Sequence, residues 1–286
     1  MQEEFLIQLQ KLSNPTLDNI FIFITNLGGE LFYVLALTVV YWCINRKVGA
    51  KMFTILIFSV FGNSVLKEIF STQRPFKIKR INALYSKSAP GYSFPSGHTQ
   101  GTTTFWFYMM RKIRNNIVYL IGVFVIILVG FSRLYLRVHW PIDVIGGIFF
   151  GIIFAFIGEY FINKISPLKY NVINTLIFSI LIPNVLLIFF MSETNVKLIS
   201  LITGALFGYF IEENYIKFNV KTTKFKQGVK LIIGLLILML IRTILKYIFL
   251  DNIMFDYIRY FVIGISTTLF IPYLFIKLNL SKKAPF

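Results

Sequence analysis

The sequence predicts an all-α, polytopic transmembrane helical bundle of about nine spans. Three observations predict it. Hydrophobic residues make up 56% of the chain and charged residues only 14%, where a soluble domain carries roughly 25%. Apolar runs recur at close to the length of about 20 residues that a helix needs to cross a bilayer. Lys and Arg gather in short runs between those apolar stretches, as they do in the loops of membrane proteins.

Residues 1–27 form an N-terminal interfacial segment. Within it, 2–12 sets Phe5, Leu6, Leu9 and Leu12 against Glu3, Glu4, Gln8 and Lys11, the pattern of a short helix lying in the membrane surface. Residues 17–27 either continue along the surface or lengthen the first span. Because Met1 to Lys11 is acidic and amphipathic, not basic and then apolar, no cleavable signal peptide is expected, and the first span directs insertion. The spans fall at 28–45, 50–70, 97–110, 116–132, 141–162, 171–191, 197–212, 229–249 and 257–277. They divide into a six-span core over 28–191 and a three-span C-terminal extension over 192–286. The third and seventh are short, which suits helices that begin in polar vestibules.

A net charge of +17 raises nucleic-acid binding, but that function needs a basic face on a water-soluble module, and here the cations alternate with spans. The single cysteine, Cys43, excludes an internal disulfide and offers no thiolate cluster. Two histidines and no carboxylate cluster suggest no metal and no other cofactor. Basic groups at Arg46, Lys47 and Lys51, at Arg111, Lys112 and Arg114, at Lys164 and Lys169, at Lys217 to Lys230, and at Lys277, Lys282 and Lys283 mark every second connection. By the positive-inside rule the N-terminus then lies outside and the C-terminus inside.

Two outer connections break that rule. One carries Lys67, Arg74, Lys77, Lys79, Arg80 and Lys87; the other carries Arg133 and Arg137. An anionic substrate accounts for positive charge on that side. Both histidines lie in or beside these loops. Pro95-Ser96-Gly97-His98 leads into the third span, and a Pro-Ser-Gly helix start places a hydroxyl and unpaired N–H groups at the positive end of the helix dipole, which is an anion cradle. His139-Trp140-Pro141-Ile142-Asp143 opens the fifth span, with Pro141 suited to the first helical turn. His139 and Asp143, four residues apart, share a helix side. A carboxylate on one ring nitrogen leaves the lone pair of the other directed into the loop space, as a nucleophile requires. The blander alternative for Asp143 is a helix-start acid that complements the dipole. For Lys67, Arg74 and Arg133 it is snorkelling to headgroups, and for Tyr92, Phe94 and Trp140 an aromatic belt.

Three segments, Lys67-Glu-Ile-Phe-Ser-Thr-Gln-Arg74-Pro75, Pro95-Ser96-Gly97-His98, and Ser132-Arg133 followed by His139 and Asp143, resemble in order and spacing the signature of the type 2 phosphatidic acid phosphatase superfamily. That superfamily also holds bacterial acid phosphatases and vanadium haloperoxidases. The match runs from the second span through the fifth. Membrane members usually have six spans, so the three C-terminal spans depart from the pattern. The resemblance implies a metal-independent, two-step displacement. His139 would attack phosphorus, Asp143 would hold its ring, and His98 would protonate the leaving oxygen. Lys67, Arg74 and Arg133, with Ser96 and the N–H of Gly97, would neutralise the phosphate oxygens.

The expected function is therefore an integral membrane lipid phosphatase of a bacterial plasma membrane, with its site on the extracytoplasmic side and a lipid phosphate as substrate. Undecaprenyl diphosphate is the favoured substrate; phosphatidic acid, phosphatidylglycerol phosphate and sphingoid-base phosphates are the rivals. A lipid phosphotransferase would use the same chemistry with an alcohol in place of water, and a lipid transporter would fit the span number without needing the paired histidine and aspartate. Arg242, inside the eighth span, is either functional or paired with Asp251, Asp256, Glu212 or Glu213.

Overall fold

The computed structural model describes residues 1–165, 172–249 and 252–284; Lys169 and Asp251 lie outside the described residues. The helices in chain order are α1 (Gln2–Lys11), α2 (Pro15–Asn26), α3 (Glu30–Val39), α4 (Arg46–Phe70), α5 (Gly97–Ile113), α6 (Asn116–Tyr135), α7 (Pro141–Ile165), α8 (Val172–Leu176), α9 (Ile182–Phe189), α10 (Glu193–Ile211), α11 (Lys224–Ile248), α12 (Ile253–Ile265) and α13 (Ile271–Lys277). Polar residues at the starts fix the boundaries: α2, α5, α6, α10, α11 and α12 open on Asn14, Ser96, Asn115, Ser192, Thr223 and Asn252, each of whose side chains accepts a first-turn N–H.

Among the described residues, six helical stretches are long and apolar enough to cross a membrane: Arg46–Lys77, Asn116–Tyr135, Pro141–Lys164, Glu193–Ile216, Lys224–Ile248 and Ile253–Lys277. A seventh candidate is the pair Pro15–Asn26 and Glu30–Ile44, bent by 46°. The other two expected spans are shorter, α5 with 17 residues and the apolar stretch Ile173–Phe189. The seventh expected span is longer than its apolar run suggests. It begins at the Ser192 cap, and its polar first turn hides it from a hydropathy reading.

The described chain divides into two compact units, Met1–Val34 with Ile55–Ile162, and Leu35–Thr54 with Asn163–Phe286. In the first unit α5 is an interior helix, which explains its low hydropathy. Thr99, Gln100, Thr102, Thr103 and Thr104 are all buried, and Thr104 Oγ1 lies 2.8 Å from Ser59 Oγ. The opposite case is α6, whose Ile117, Leu120, Phe124 and Ile127 are exposed, as a lipid-facing helix requires.

Gly147 and Gly151 let α7 press against α5. A Cβ on Gly147 would stand 2.9 Å from the Ser96 carbonyl oxygen, and one on Gly151 would stand 2.8 Å from that of Gln100. Small residues one turn apart allow this backbone approach. It brings the start of α7, with His139 and Asp143, beside the start of α5, with Ser96 and His98. The Ser96 N–H seals the junction by donating to the Asp143 backbone carbonyl at 3.0 Å.

The amphipathic α1 turns its apolar side to protein as well as to its surroundings. Leu6 and Leu9 are buried in a cluster with Ile81 against which Trp140 and Leu134 pack, while Phe5 and Leu12 stay exposed. Gln2 Oε1 accepts the Ile142 N–H at 3.1 Å, so α1 supplies a partner for a first-turn donor of α7.

The second unit contains a core of Tyr41, Trp42, Phe218, Ile271 and Phe275. Glycines again set the closest helix approach there, Gly204 on α10 facing the Phe261 carbonyl and Gly264 on α12 facing that of Leu201. Lys230 is fully buried, with Nζ donating to the carbonyls of Trp42 at 2.8 Å and Val220 at 3.0 Å. Arg46 Nη1 reaches Glu212 Oε1 at 2.5 Å, and Lys47 reaches Glu213 at 3.1 Å. Two of the carboxylates considered for Arg242 are thus already committed to other cations.

Candidate active site

His139 stands just before α7, and Asp143 lies one turn inside it, both almost wholly buried. His139 Nδ1 lies 3.2 Å from Asp143 Oδ2. The same oxygen accepts the Trp140 N–H at 2.7 Å and the Ser93 hydroxyl at 2.5 Å. Three donors on one carboxylate oxygen fix the Asp143 rotamer. An acceptor at Nδ1 assigns the ring proton to that nitrogen, which leaves the Nε2 lone pair as the free face of the imidazole.

That lone pair meets Arg74. Nη1 of Arg74 lies 3.1 Å from His139 Nε2, and also donates to the Val138 carbonyl at 2.9 Å. The rest of the guanidinium is fixed by the loop before α5, with Nε donating to Gly91 O at 2.9 Å and Nη2 to Pro90 O at 2.7 Å. Arg133, in the last turn of α6, is also fully buried. Its Nη1 donates to Thr25 Oγ1 at 2.7 Å and Ser88 Oγ at 3.1 Å, while Nε has no partner among the described residues. Lys67 is half-buried in the last turn of α4.

Burial holds the His139 imidazole well below its ordinary range, and the charges of Arg74, Arg133 and Lys67, together with His98, act in the same direction. All of the expected cations therefore bear on one ring. The ring is neutral, the form a nucleophile needs. Its protonation should not occur on acidification through the ordinary value of 6.5, only at lower pH. Between those two values the unfolded chain binds more protons than the folded one, so acid in that window also destabilises the fold. The expected result in a nitrogen-15 NMR titration is that the His139 ring signals keep their neutral positions from pH 8 to below 6.5; a midpoint at or above 6.5 would contradict the burial argument. With two histidines in the chain, a His98→Gln sample assigns the signals.

Ser96 caps α5, with Oγ 2.9 Å from Thr99 Oγ1 and accepting the Thr99 N–H at 3.5 Å, and it is wholly buried. Gly97 and His98 form the first turn behind it, His98 half-buried. A network beneath supports this turn. Asn63 Nδ2 donates to the Pro95 carbonyl at 3.2 Å and to Gln100 Oε1 at 2.9 Å, and Gln100 Nε2 donates to the Ser59 carbonyl at 2.7 Å. A Cβ on Gly97 would sit 3.1 Å from Asn63 Oδ1.

The structure thus gathers Lys67, Arg74, Arg133, His139 and Asp143 in one unit and places Ser96, Gly97 and His98 at the helix start packed on α7. Lys77, Lys79, Arg80 and Lys87 are exposed. Arg137 is buried, adopts a positive φ of 57° and donates from Nε to the Asn82 carbonyl at 2.6 Å; burial lowers its pKa from the ordinary guanidinium range. It acts as a loop anchor. The sequence reading missed Ser93, Asn63, Gln100, Thr25 and Ser88. Asn63 had a signal, a polar amide inside an apolar span. Ser93, Ser88 and Thr25 had none, because their roles depend on loop and helix placements that spacing does not encode.

Comparison with known proteins identifies the family. The PAP2 superfamily matches residues 49–166, and the PAP2 superfamily phosphatase transmembrane extension matches residues 196–283. Phosphatidylglycerophosphatase B of Bacillus subtilis is 31% identical over 55% of this chain and 81% of its own length. The undecaprenyl-diphosphatase of Sulfolobus acidocaldarius is 28% identical over 58% of this chain and 82% of its own. A probable sphingosine-1-phosphate phosphatase of Dictyostelium discoideum is 31% identical over 50% of this chain, which spans 38% of that protein. With a neutral buried histidine held by an aspartate, an arginine at its free nitrogen and these relatives, the chain belongs to the PAP2 superfamily, among its membrane lipid phosphatases.

Proposed function

We propose that this protein removes the terminal phosphate from a lipid diphosphate, with undecaprenyl diphosphate as the favoured substrate, through a phosphohistidine at His139. The observation that carries this reading is the orientation of the imidazole: Asp143 occupies Nδ1, and Nε2 faces Arg74. An incoming phosphate takes the place of Nε2 at Arg74, so that the guanidinium binds the phosphoryl oxygens while the lone pair attacks phosphorus. The phosphorus–oxygen bond to the lipid monophosphate breaks, and His98 gives its proton to the departing oxygen. Water then attacks phosphorus, its proton returns to His98, and the nitrogen–phosphorus bond breaks to release phosphate. Lys67, Arg133 and the Gly97 N–H neutralise the equatorial oxygens, the electrostatic work that dominates phosphoryl transfer, and Ser96 caps the helix that presents that N–H. The site lies on the extracytoplasmic face of a bacterial plasma membrane, a reading supported by the basic runs at Arg46 to Lys51, Arg111 to Arg114 and Lys217 to Lys230, which mark the alternate connections as cytoplasmic.

Similarity to the Sulfolobus enzyme supports the diphosphate, and similarity to the Bacillus enzyme supports phosphatidylglycerol phosphate as the second reading. The test is phosphate release by the purified chain across undecaprenyl diphosphate, phosphatidylglycerol phosphate, phosphatidic acid and sphingosine phosphate, with a chelator present. Undecaprenyl diphosphate should be hydrolysed fastest. A faster rate on phosphatidylglycerol phosphate would reassign the substrate, and strict dependence on added metal would sink the mechanism.

A further inference from the structure

The C-terminal extension contains a polar cavity that the phosphatase chemistry does not use. Glu193 and Lys197 of α10, Arg242 and Lys246 of α11, and Asp256 and Arg259 of α12 line it, with Asn252 and Tyr260 as neutral donors. Four cations against two carboxylates leave a net charge of +2.

The acids are already engaged. Asp256 Oδ2 lies 3.4 Å from Lys197 Nζ and its Oδ1 lies 3.2 Å from Arg259 Nη1, while Glu193 pairs with Lys197. Among the described residues neither Arg242 nor Lys246 forms an ion pair. Lying one turn apart, they share a face of α11. That helix is also the span least buried in protein, at 11% of its apolar window, so its exposed residues face lipid. Arg242 sits about 9 Å from the helix end, within reach of the headgroup layer by snorkelling.

Topology does not account for this pair. The basic run from Lys217 to Lys230 stands at the opposite end of α11, where the positive-inside rule wants it. A cation facing lipid at the other end is costly unless it meets an anion. The first turns of α10 and α12 also meet this cavity, and their N–H ends favour negative charge.

We propose that this cavity binds the phosphate-bearing headgroup of an anionic membrane lipid, with Arg242 and Lys246 on the phosphate and Lys197 and Arg259, locked on Asp256, as its fixed wall. The site is independent of the catalytic histidine and holds whether or not the substrate assigned above is correct.

The full-length protein in detergent micelles, titrated with phosphatidylglycerol, phosphatidylcholine or inorganic phosphate and weighed intact by native mass spectrometry, tests it. Phosphatidylglycerol should be retained in preference to phosphatidylcholine, and the Arg242→Gln/Lys246→Gln double variant should weaken that retention at least tenfold. Both side chains are exposed, so the variant should unfold at the wild-type temperature in lipid-free detergent, and Arg242→Lys with Lys246 intact should restore most of the retention. His139→Ala should keep the lipid. Unchanged retention in the double variant, or loss in His139→Ala, would overturn the proposal. Equal uptake of inorganic phosphate would replace the lipid with the free anion.

Discussion

Replacing His139 with alanine is expected to lower phosphate release by about four orders of magnitude or more, the scale seen when a nucleophile is removed from a unit that works together. The chain should remain folded. Asp143 keeps the Ser93 hydroxyl and the Trp140 N–H, and Arg74 keeps its three carbonyl partners at Gly91, Val138 and Pro90. The residual rate reports what Arg74, Arg133 and Lys67 achieve by binding and charge alone. Phosphate release and thermal unfolding measured on the same preparation separate the two effects. Activity within tenfold of the wild type, with an unchanged unfolding temperature, would remove His139 from the nucleophile's role. Loss of activity together with collapse of the fold would show instead that the imidazole acts chiefly as a structural partner of Arg74.

How much of this was legible in the sequence differs from residue to residue. The His139 and Asp143 contact was legible because a helix converts a spacing of four into a shared side, and Pro141 announces where the helix starts. The convergence of Lys67, Arg74 and Arg133 was legible as charge in loops where topology argues against it. The clamp on Arg74 was not, since its partners are backbone carbonyls of Pro90, Gly91 and Val138, and a carbonyl has no residue identity to read. Ser96 was expected to cradle anions. The structure shows its hydroxyl capping α5 while fully buried, a role the same Pro-Ser-Gly sequence serves equally well. Among the helices, α5 was legible as short but not as interior. Its threonines hydrogen-bond within the bundle and lower its hydropathy for a reason unrelated to a vestibule. The bend between α2 and α3 falls at Gly28 and Gly29, where the helix ends and restarts; the sequence divides at the same point, but leaves open whether 17–27 lies along the surface or lengthens the first span.

Gly147→Leu is the substitution that tests whether the two halves of the site are held together by the α5 and α7 crossing. A Cβ there would stand 2.9 Å from both the Ser96 carbonyl oxygen and Thr99 Cβ, and 3.2 Å from the Gln100 nitrogen. Two of these three atoms are backbone, so no side-chain rotation relieves the overlap, and the helices must part. Overpacking of this kind costs about 1–3 kcal/mol, and a backbone clash belongs at the upper end. Parting α7 from α5 also pulls His139 and Asp143 away from Ser96 and His98, and a displacement near 1 Å can cost about a hundredfold in rate. The expected result is a lowered unfolding temperature and, in the fraction that remains folded, a kcat reduced about a hundredfold. Gly228→Ala is the matched control, since a Cβ at Gly228 meets no atom within 4 Å and alanine suits a helix better than glycine. Its unfolding temperature should stay level or rise. If Gly147→Leu were no more harmful than this control, the Ser96 N–H to Asp143 carbonyl contact would have to hold the two helix starts in register by itself, which a single hydrogen bond worth about 1 kcal/mol does not do against a forced helix separation.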